Sequence, residues 1–130
     1  MREFQKNQIS ILYFIHMKST PFQFENDLPW QDVDQGIQRK MYGYDESVMM
    51  VKVKFEAGAI GKLHSHPHSQ VTYVESGVFD MTIGAETKRI KTADGYYVKP
   101  HVMHGVVCIE PGVLIDVFSP MREDFLKTEK

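Results

Sequence analysis

Three histidines at alternate positions, His64, His66 and His68, sit in the stretch Leu63 to Gly77, LHSHPHSQVTYVESG. In an extended chain alternate side chains share a face, so the three imidazoles project together, with Gln70 and Thr72 following in phase. Pro67 disfavours a helix interior, and Val71, Tyr73 and Val74 favour extended structure. Successive imidazoles on such a face stand about 7 Å apart, close enough to share one metal ion. His101 and His104, just before Gly105, form a second histidine cluster downstream. The competing reading is a surface histidine patch with incidental metal affinity.

The elements that must position these side chains read as short strands. Residues 20–35 mix prolines, aromatics and acids without periodicity, which predicts an irregular lead-in pinned by burial of Phe22, Phe24 and Trp30. Beyond Gly36, Ile37–Tyr42 and Ser47–Phe55 flank a turn at Gly43–Glu46, and Val51, Val53 and Phe55 alternate with Lys52 and Lys54. Glu56–Ala59 makes the next turn. Val71–Glu75 and Val78–Ile83 are joined by Ser76-Gly77, a two-residue hairpin signal. Gly84-Ala85 leads into Glu86–Ile90, and Asp94-Gly95 into Tyr96–Lys99. His104–Ile109 and Val113–Phe118 are joined by the turn-forming Glu110-Pro111-Gly112. Such regular strands predict an all-β barrel or sandwich, with a short helix over Met121–Lys127. Tyr73, Tyr96 and Tyr97 are assigned to barrel packing.

Composition narrows the function classes. The 130 residues, 42% hydrophobic and 25% charged, suit one domain with a single core. A net charge of −2 makes no electrostatic case for nucleic acid or an anionic membrane. The lone Cys108, within the apolar run Val106–Ile109, predicts a buried inert thiol and a reducing, cytoplasmic setting. The expected division is an extension over residues 1–19 and a barrel over 20–130. Within the extension, Ile9–Ile15 is too short to span a bilayer and lacks a following cleavage site. It is either an upstream extension before a start at Met17 or an extra strand that pairs with a second subunit.

Two motifs together resemble the cupin superfamily. Gly58, His64, His66, Gln70 and Gly77 occupy the places of the first cupin motif, with Gln70 where most cupins carry Glu. Gly95, Pro100 and His104 fill the second, altered in its glycines and first proline. The resemblance implies a single-domain double-stranded β-helix, or jelly-roll barrel. More narrowly, His64–Gln70 and Val113–Leu126 resemble the KdgF-type cupins of pectin and alginate breakdown. That likeness implies a divalent metal held by His64, His66, Gln70 and His104. It further implies active-site positions at Asp116, Phe118 and Arg122, ring opening of 4,5-unsaturated uronates to linear keto sugars, and a homodimer.

Those residue types suit that chemistry. Four uncharged ligands leave the ion's charge uncompensated and favour Lewis-acid over redox work, although nickel, zinc, iron and manganese all fit the donor set. Asp116 interrupts the apolar run Val113–Phe118, which predicts either a structural carboxylate bonded to a loop amide or a general acid/base. Phe118 would shape the pocket wall. Arg122 carries a planar fork suited to a carboxylate, or belongs simply to the charged surface Arg122-Glu123-Asp124. His68 and His101 are open between alternate ligands and outer groups. A non-catalytic sugar- or acid-binding cupin and an iron-dependent cupin oxygenase are the alternatives.

Overall fold

The structure, a computed structural model, describes residues 17–127. The strand considered for Ile9–Ile15 lies outside the described residues. Eight strands are described: β1 Gln31–Asp34, β2 Ile37–Asp45, β3 Val48–Phe55, β4 Ile60–His64, β5 Ser69–Ile83, β6 Glu86–Lys91, β7 Gly95–Val98 and β8 His104–Ser119. A 3-10 turn at Glu25–Asp27 precedes them, and one short helix, α1 at Glu123–Lys127, follows.

Two long strands organise the rest. β5 and β8 pair with each other antiparallel along nearly their whole lengths. The first half of β5 also carries β7, and its second half carries β6. The first half of β8 carries β4, and its second half carries β3, β2 and β1 in turn. Each long strand therefore belongs to two sheets, and the sheets close on one another as a jelly-roll barrel. Val74, Leu114, Phe55 and Ile37 from one sheet form a single buried cluster with Phe79, Met81, Val106 and Cys108 from the other. Phe55 and Phe79 meet edge to face across the barrel, with ring centroids 5.3 Å apart.

The bend in both long strands overturns two sequence expectations. Ser76-Gly77 is not a hairpin turn, and Glu110-Pro111-Gly112 is not a connecting turn; both lie inside continuous strands. They face each other. A Cβ on Gly77 would stand 2.6 Å from the Gly112 Cα, so only glycines let the two backbones pass this closely. Gly77 also has φ 91, which no other residue adopts cheaply. Between the pairs Val74↔Leu114 and Phe79↔Cys108, β5 advances five positions and β8 six. That one-residue slip flips the inward face of β5 from Gln70, Thr72 and Val74 to Phe79 and Met81. Turn-forming residues therefore mark a bulge here, a distinction local sequence does not make.

The lead-in also differs from expectation. Gln31–Asp34 is an edge strand, and Phe22 and Phe24 are exposed rather than buried. Polar contacts pin this segment instead: Glu25 accepts from Lys40 Nζ at 2.7 Å and Lys52 Nζ at 2.8 Å. Trp30 lies beneath both Lys40 Nζ and Lys54 Nζ, at 4.6 and 4.3 Å from its ring centre.

Candidate metal centre

His64 ends β4 and His104 opens β8, and register makes them cross-strand partners. β4 stops at His64, so His66 and His68 lie in the connection to β5 and not on a shared strand face, contrary to the alternation argument. The connection nonetheless returns His66 to the other two rings: its centroid is 5.6 Å from His64 and 4.8 Å from His104. One ligand atom from each of the three histidines lies within 4.8 Å of the others. The backbone N–H of His101 donates to His66 O at 2.8 Å and ties the two histidine segments together. His101 itself has φ 70 and is exposed, while the His68 ring meets Phe118 edge to face with centroids 6.4 Å apart.

Each ring is oriented by its backbone. His64 Nδ1 lies 2.8 Å from Lys62 O, His66 Nδ1 3.1 Å from His68 O, and His104 Nδ1 2.9 Å from Val102 O. A carbonyl accepts only from an N–H, so His64 and His104 carry their proton on Nδ1 and offer the Nε2 lone pair, whereas His66 has a carbonyl oxygen against each ring nitrogen. His104 Nε2 is buried without a hydrogen-bond partner among the described residues. His66 Nε2 stands 3.0 Å from Gln70 Oε1. A neutral imidazole has one N–H: on Nε2 it donates to Gln70 Oε1, and on Nδ1 it leaves two facing lone pairs that a cation between them would satisfy. Two ligands at about 2.1 Å from one ion, at right angles, would be about 3.0 Å apart. The donor set therefore fits a divalent transition metal.

Electrostatics keep these lone pairs available. Burial pushes His104 down to about 4, and burial followed by the nearby Arg122 charge also lowers His66. Neither must lose a proton at neutral pH to accept a metal.

Asp116 belongs to a row that crosses four strands: Val51, Asp116, Thr72 and Tyr96 are successive cross-strand partners. The Thr72 hydroxyl donates to Asp116 Oδ1 at 2.7 Å, and Gln70 Nε2 lies 3.4 Å from the same oxygen. Asp116 retains some accessible surface toward a cavity, yet the surrounding protein pushes its pKa up to about 6. The next row holds Met49, Phe118, Gln70 and Val98, which places Phe118 opposite Gln70. Phe118 is buried, with its ring 5.7 Å from that of His66.

Arg122 follows β8 and reaches the cavity through a stack. Its guanidinium carbon lies 5.0 Å from the Phe118 ring centre and 4.2 Å from that of Phe125. Its Nε and Nη2 donate to Asp124 at 3.1 and 2.9 Å, which uses two of five N–H donors. Arg39 stacks on Phe125 as well, at 3.8 Å.

A cavity of about 270 Å³ is lined by His64, Gln70, His104, Asp116, Phe118 and Arg122 together with apolar barrel residues. Arg39 and Tyr96 line it too. Of the three tyrosines assigned to barrel packing, Tyr96 packs against the core and also lines the cavity, whereas Tyr73 and Tyr97 are exposed. The phase of Thr72 with Gln70 was the available signal for the polar row, whereas nothing local marked Arg39.

The chain is similar to known proteins over most of its length. A family model described as a cupin domain matches residues 51–118. The pectin degradation protein KdgF of Dickeya dadantii (strain 3937) is 45% identical over 104 residues, covering 78% of this chain and 94% of that protein. Among solved structures, an RmlC-like cupin from Shewanella frigidimarina NCIMB 400 superposes with TM-score 0.82 at 42% identity, covering 84% of this chain and 98% of that one. KdgF from Halomonas sp. superposes with TM-score 0.78 at 39% identity, covering 82% and 99%.

Proposed function

The chain belongs to the cupin family and groups there with the KdgF proteins, and from that premise we propose that it ring-opens and ketonises 4,5-unsaturated uronates to linear keto sugars. The observation that carries this reading is the link from Asp116 through Gln70 to His66, which sets a proton-transfer group beside a metal-ligand set in one cavity. His64, His66, Gln70 and His104 would hold the ion. A divalent metal bound there supplies Lewis-acid polarisation of substrate oxygens. Nickel, zinc, iron and manganese all suit three imidazoles and an amide.

The remaining work falls to the chain's own groups. An unsaturated uronate is a cyclic hemiacetal whose ring oxygen is attached to the C4=C5 double bond. Opening the ring breaks the bond between C1 and that oxygen, which leaves an aldehyde at C1 and an enol at C5. Ketonisation then moves one proton from the C5 hydroxyl to C4, with no oxidant and no net loss of atoms. Asp116, with a pKa near 6, can take a proton from an oxygen and return it to carbon at neutral pH. Arg122 retains N–H donors beyond those given to Asp124, suited to the substrate carboxylate. Phe118 forms the wall beneath it. The cavity volume of about 270 Å³ matches a single sugar acid better than a polymer.

A cytoplasmic location and a homodimer belong to the same proposal. Cys108 is a lone buried thiol, suited to a reducing compartment. Met50, Val117, Val71 and Tyr97 run in register across four strands, and Met50, Val71 and Tyr97 are exposed, a row that a second copy would cover. Sedimentation of the purified protein reads that state directly.

The deciding experiment mixes the metal-loaded protein with a lyase-generated unsaturated monouronate and follows absorbance of the C4=C5 chromophore. Loss faster than the spontaneous rate, abolished by a chelator, is expected. An unchanged rate would overturn the assignment in favour of a binding protein, and oxygen consumption would favour an oxygenase.

A further inference from the structure

Gln70 is an unusual group to rely on beside a metal. A carboxamide presents an oxygen on one side and an NH2 on the other, and only the oxygen can ligate. Rotation by half a turn would exchange them at little intrinsic cost, so something must fix the orientation. In this barrel the NH2 side faces two acceptors: Gln70 Nε2 is 3.1 Å from Thr72 Oγ1 and 3.4 Å from Asp116 Oδ1. The Thr72 hydroxyl has a single proton and gives it to Asp116 at 2.7 Å, so its own lone pairs face Gln70. A reversed amide would set its oxygen against those lone pairs and the Asp116 carboxylate, and its NH2 against the ligand set.

We propose that Thr72 is the positioning residue of this metal centre, with its hydroxyl holding the Gln70 carboxamide so that the oxygen faces His66. Thr72 is itself held well. It sits on the continuous first half of β5, paired on one side with Asp116 and on the other with Tyr96. It is buried, and its β-branched side chain has little rotational freedom in a strand. The hydroxyl thus does two tasks with one proton and its lone pairs. It donates to Asp116, and it accepts from Gln70. Threonine suits the position because valine has the same shape without either capacity. The inference rests on the metal site of the proposed function and not on its substrate.

The test reads metal binding rather than turnover. Metal-free protein is titrated with cobalt(II) or nickel(II) against a competing chelator, and the ligand-field absorption spectrum is recorded. Thr72→Val should weaken binding by about 10- to 100-fold, as loss of an outer hydrogen-bond partner does elsewhere, and should move the spectrum toward that of Gln70→Ala. Thr72→Ser should restore both readings. Thr72→Ala serves as the second variant should the valine protein fail to fold. Wild-type affinity together with an unchanged spectrum in Thr72→Val or Thr72→Ala overturns the positioning role. Absence of metal binding by the wild-type protein overturns the site and this inference together, whereas inactivity toward uronates with intact metal binding overturns only the substrate assignment.

Discussion

His64 and His104 are cross-strand partners on β4 and β8, with ring centroids 4.3 Å apart. Register alone puts them together, so neither depends on a flexible loop for its place. With each Nδ1 bonded to a backbone carbonyl two residues away, the rings cannot rotate freely to compensate for a missing partner. His104→Ala should lower metal affinity by more than about 100-fold, beyond the 10- to 100-fold typical of an outer-partner loss. Elemental analysis of dialysed protein, with the melting temperature of the metal-free form as the folding control, checks this.

Asp116→Asn keeps the shape of the side chain and an oxygen that can accept from Thr72, but cannot exchange a proton. If Asp116 is the acid/base, turnover should fall by about 100- to 10,000-fold. Metal content should stay near wild type, because the Thr72 and Gln70 contacts remain available. Full activity in this variant would remove Asp116 from the mechanism.

The strand pattern was legible because it rests on local alternation, and the histidine clusters because of their residue type and close spacing. Val51, Val53 and Phe55 announced β3, and the strand expected over Glu86–Ile90 is β6, which runs one residue further to Lys91. What the sequence hid was non-local. Gly77 and Gly112 read as ends of hairpins because glycine serves turns and close backbone crossings alike, and only the partner strand distinguishes them. His66 reaches its place from a connection, not through strand periodicity. Arg39 joins the cavity from β2, well before the first motif begins at Gly58, through a stack on Phe125 that no spacing rule anticipates.

The crossing of β5 and β8 should tolerate no side chain. A Cβ on Gly112 would collide with Ser76 O and Gly77 Cα, and one on Gly77 would come within 2.8 Å of Glu110 O and Pro111 O. All of these are backbone atoms of the two strands that hold both sheets. Gly112→Ala should therefore destabilise the protein by more than about 3 kcal/mol, in the range reserved for severe backbone conflict. Gly58→Ala is the informative contrast. Its Cβ would meet nothing within 4 Å, so only the cost of its φ of 82 is expected, on the order of 1 kcal/mol. Urea unfolding of the two variants compares them.

Stability against pH offers a separate reading of Asp116. Its folded pKa is raised from 3.8 to about 6, so the folded state holds the proton more tightly than the unfolded one. Such a group costs nothing below about pH 4, and its penalty grows as pH rises and is complete above about 6. A rise from 3.8 to about 6 corresponds to about 3 kcal/mol. His104 works in the opposite sense: its folded pKa is lowered from 6.5 to about 4, so acidification protonates the unfolded chain first and stability falls between those values. His66 and His68, both lowered chiefly by burial, pull the same way as His104. In metal-free wild-type protein the carboxylate and histidine contributions therefore oppose each other through the same window. Asp116→Asn removes only the carboxylate's part. The metal-free variant should be more stable than wild type at pH 7 by about 2–3 kcal/mol, with the gap closing by about pH 4. Chemical denaturation of both proteins from pH 7 to pH 4 reads the difference. A gap independent of pH would mean that Asp116 is solvated in the folded barrel, which would remove the basis for its pKa near 6.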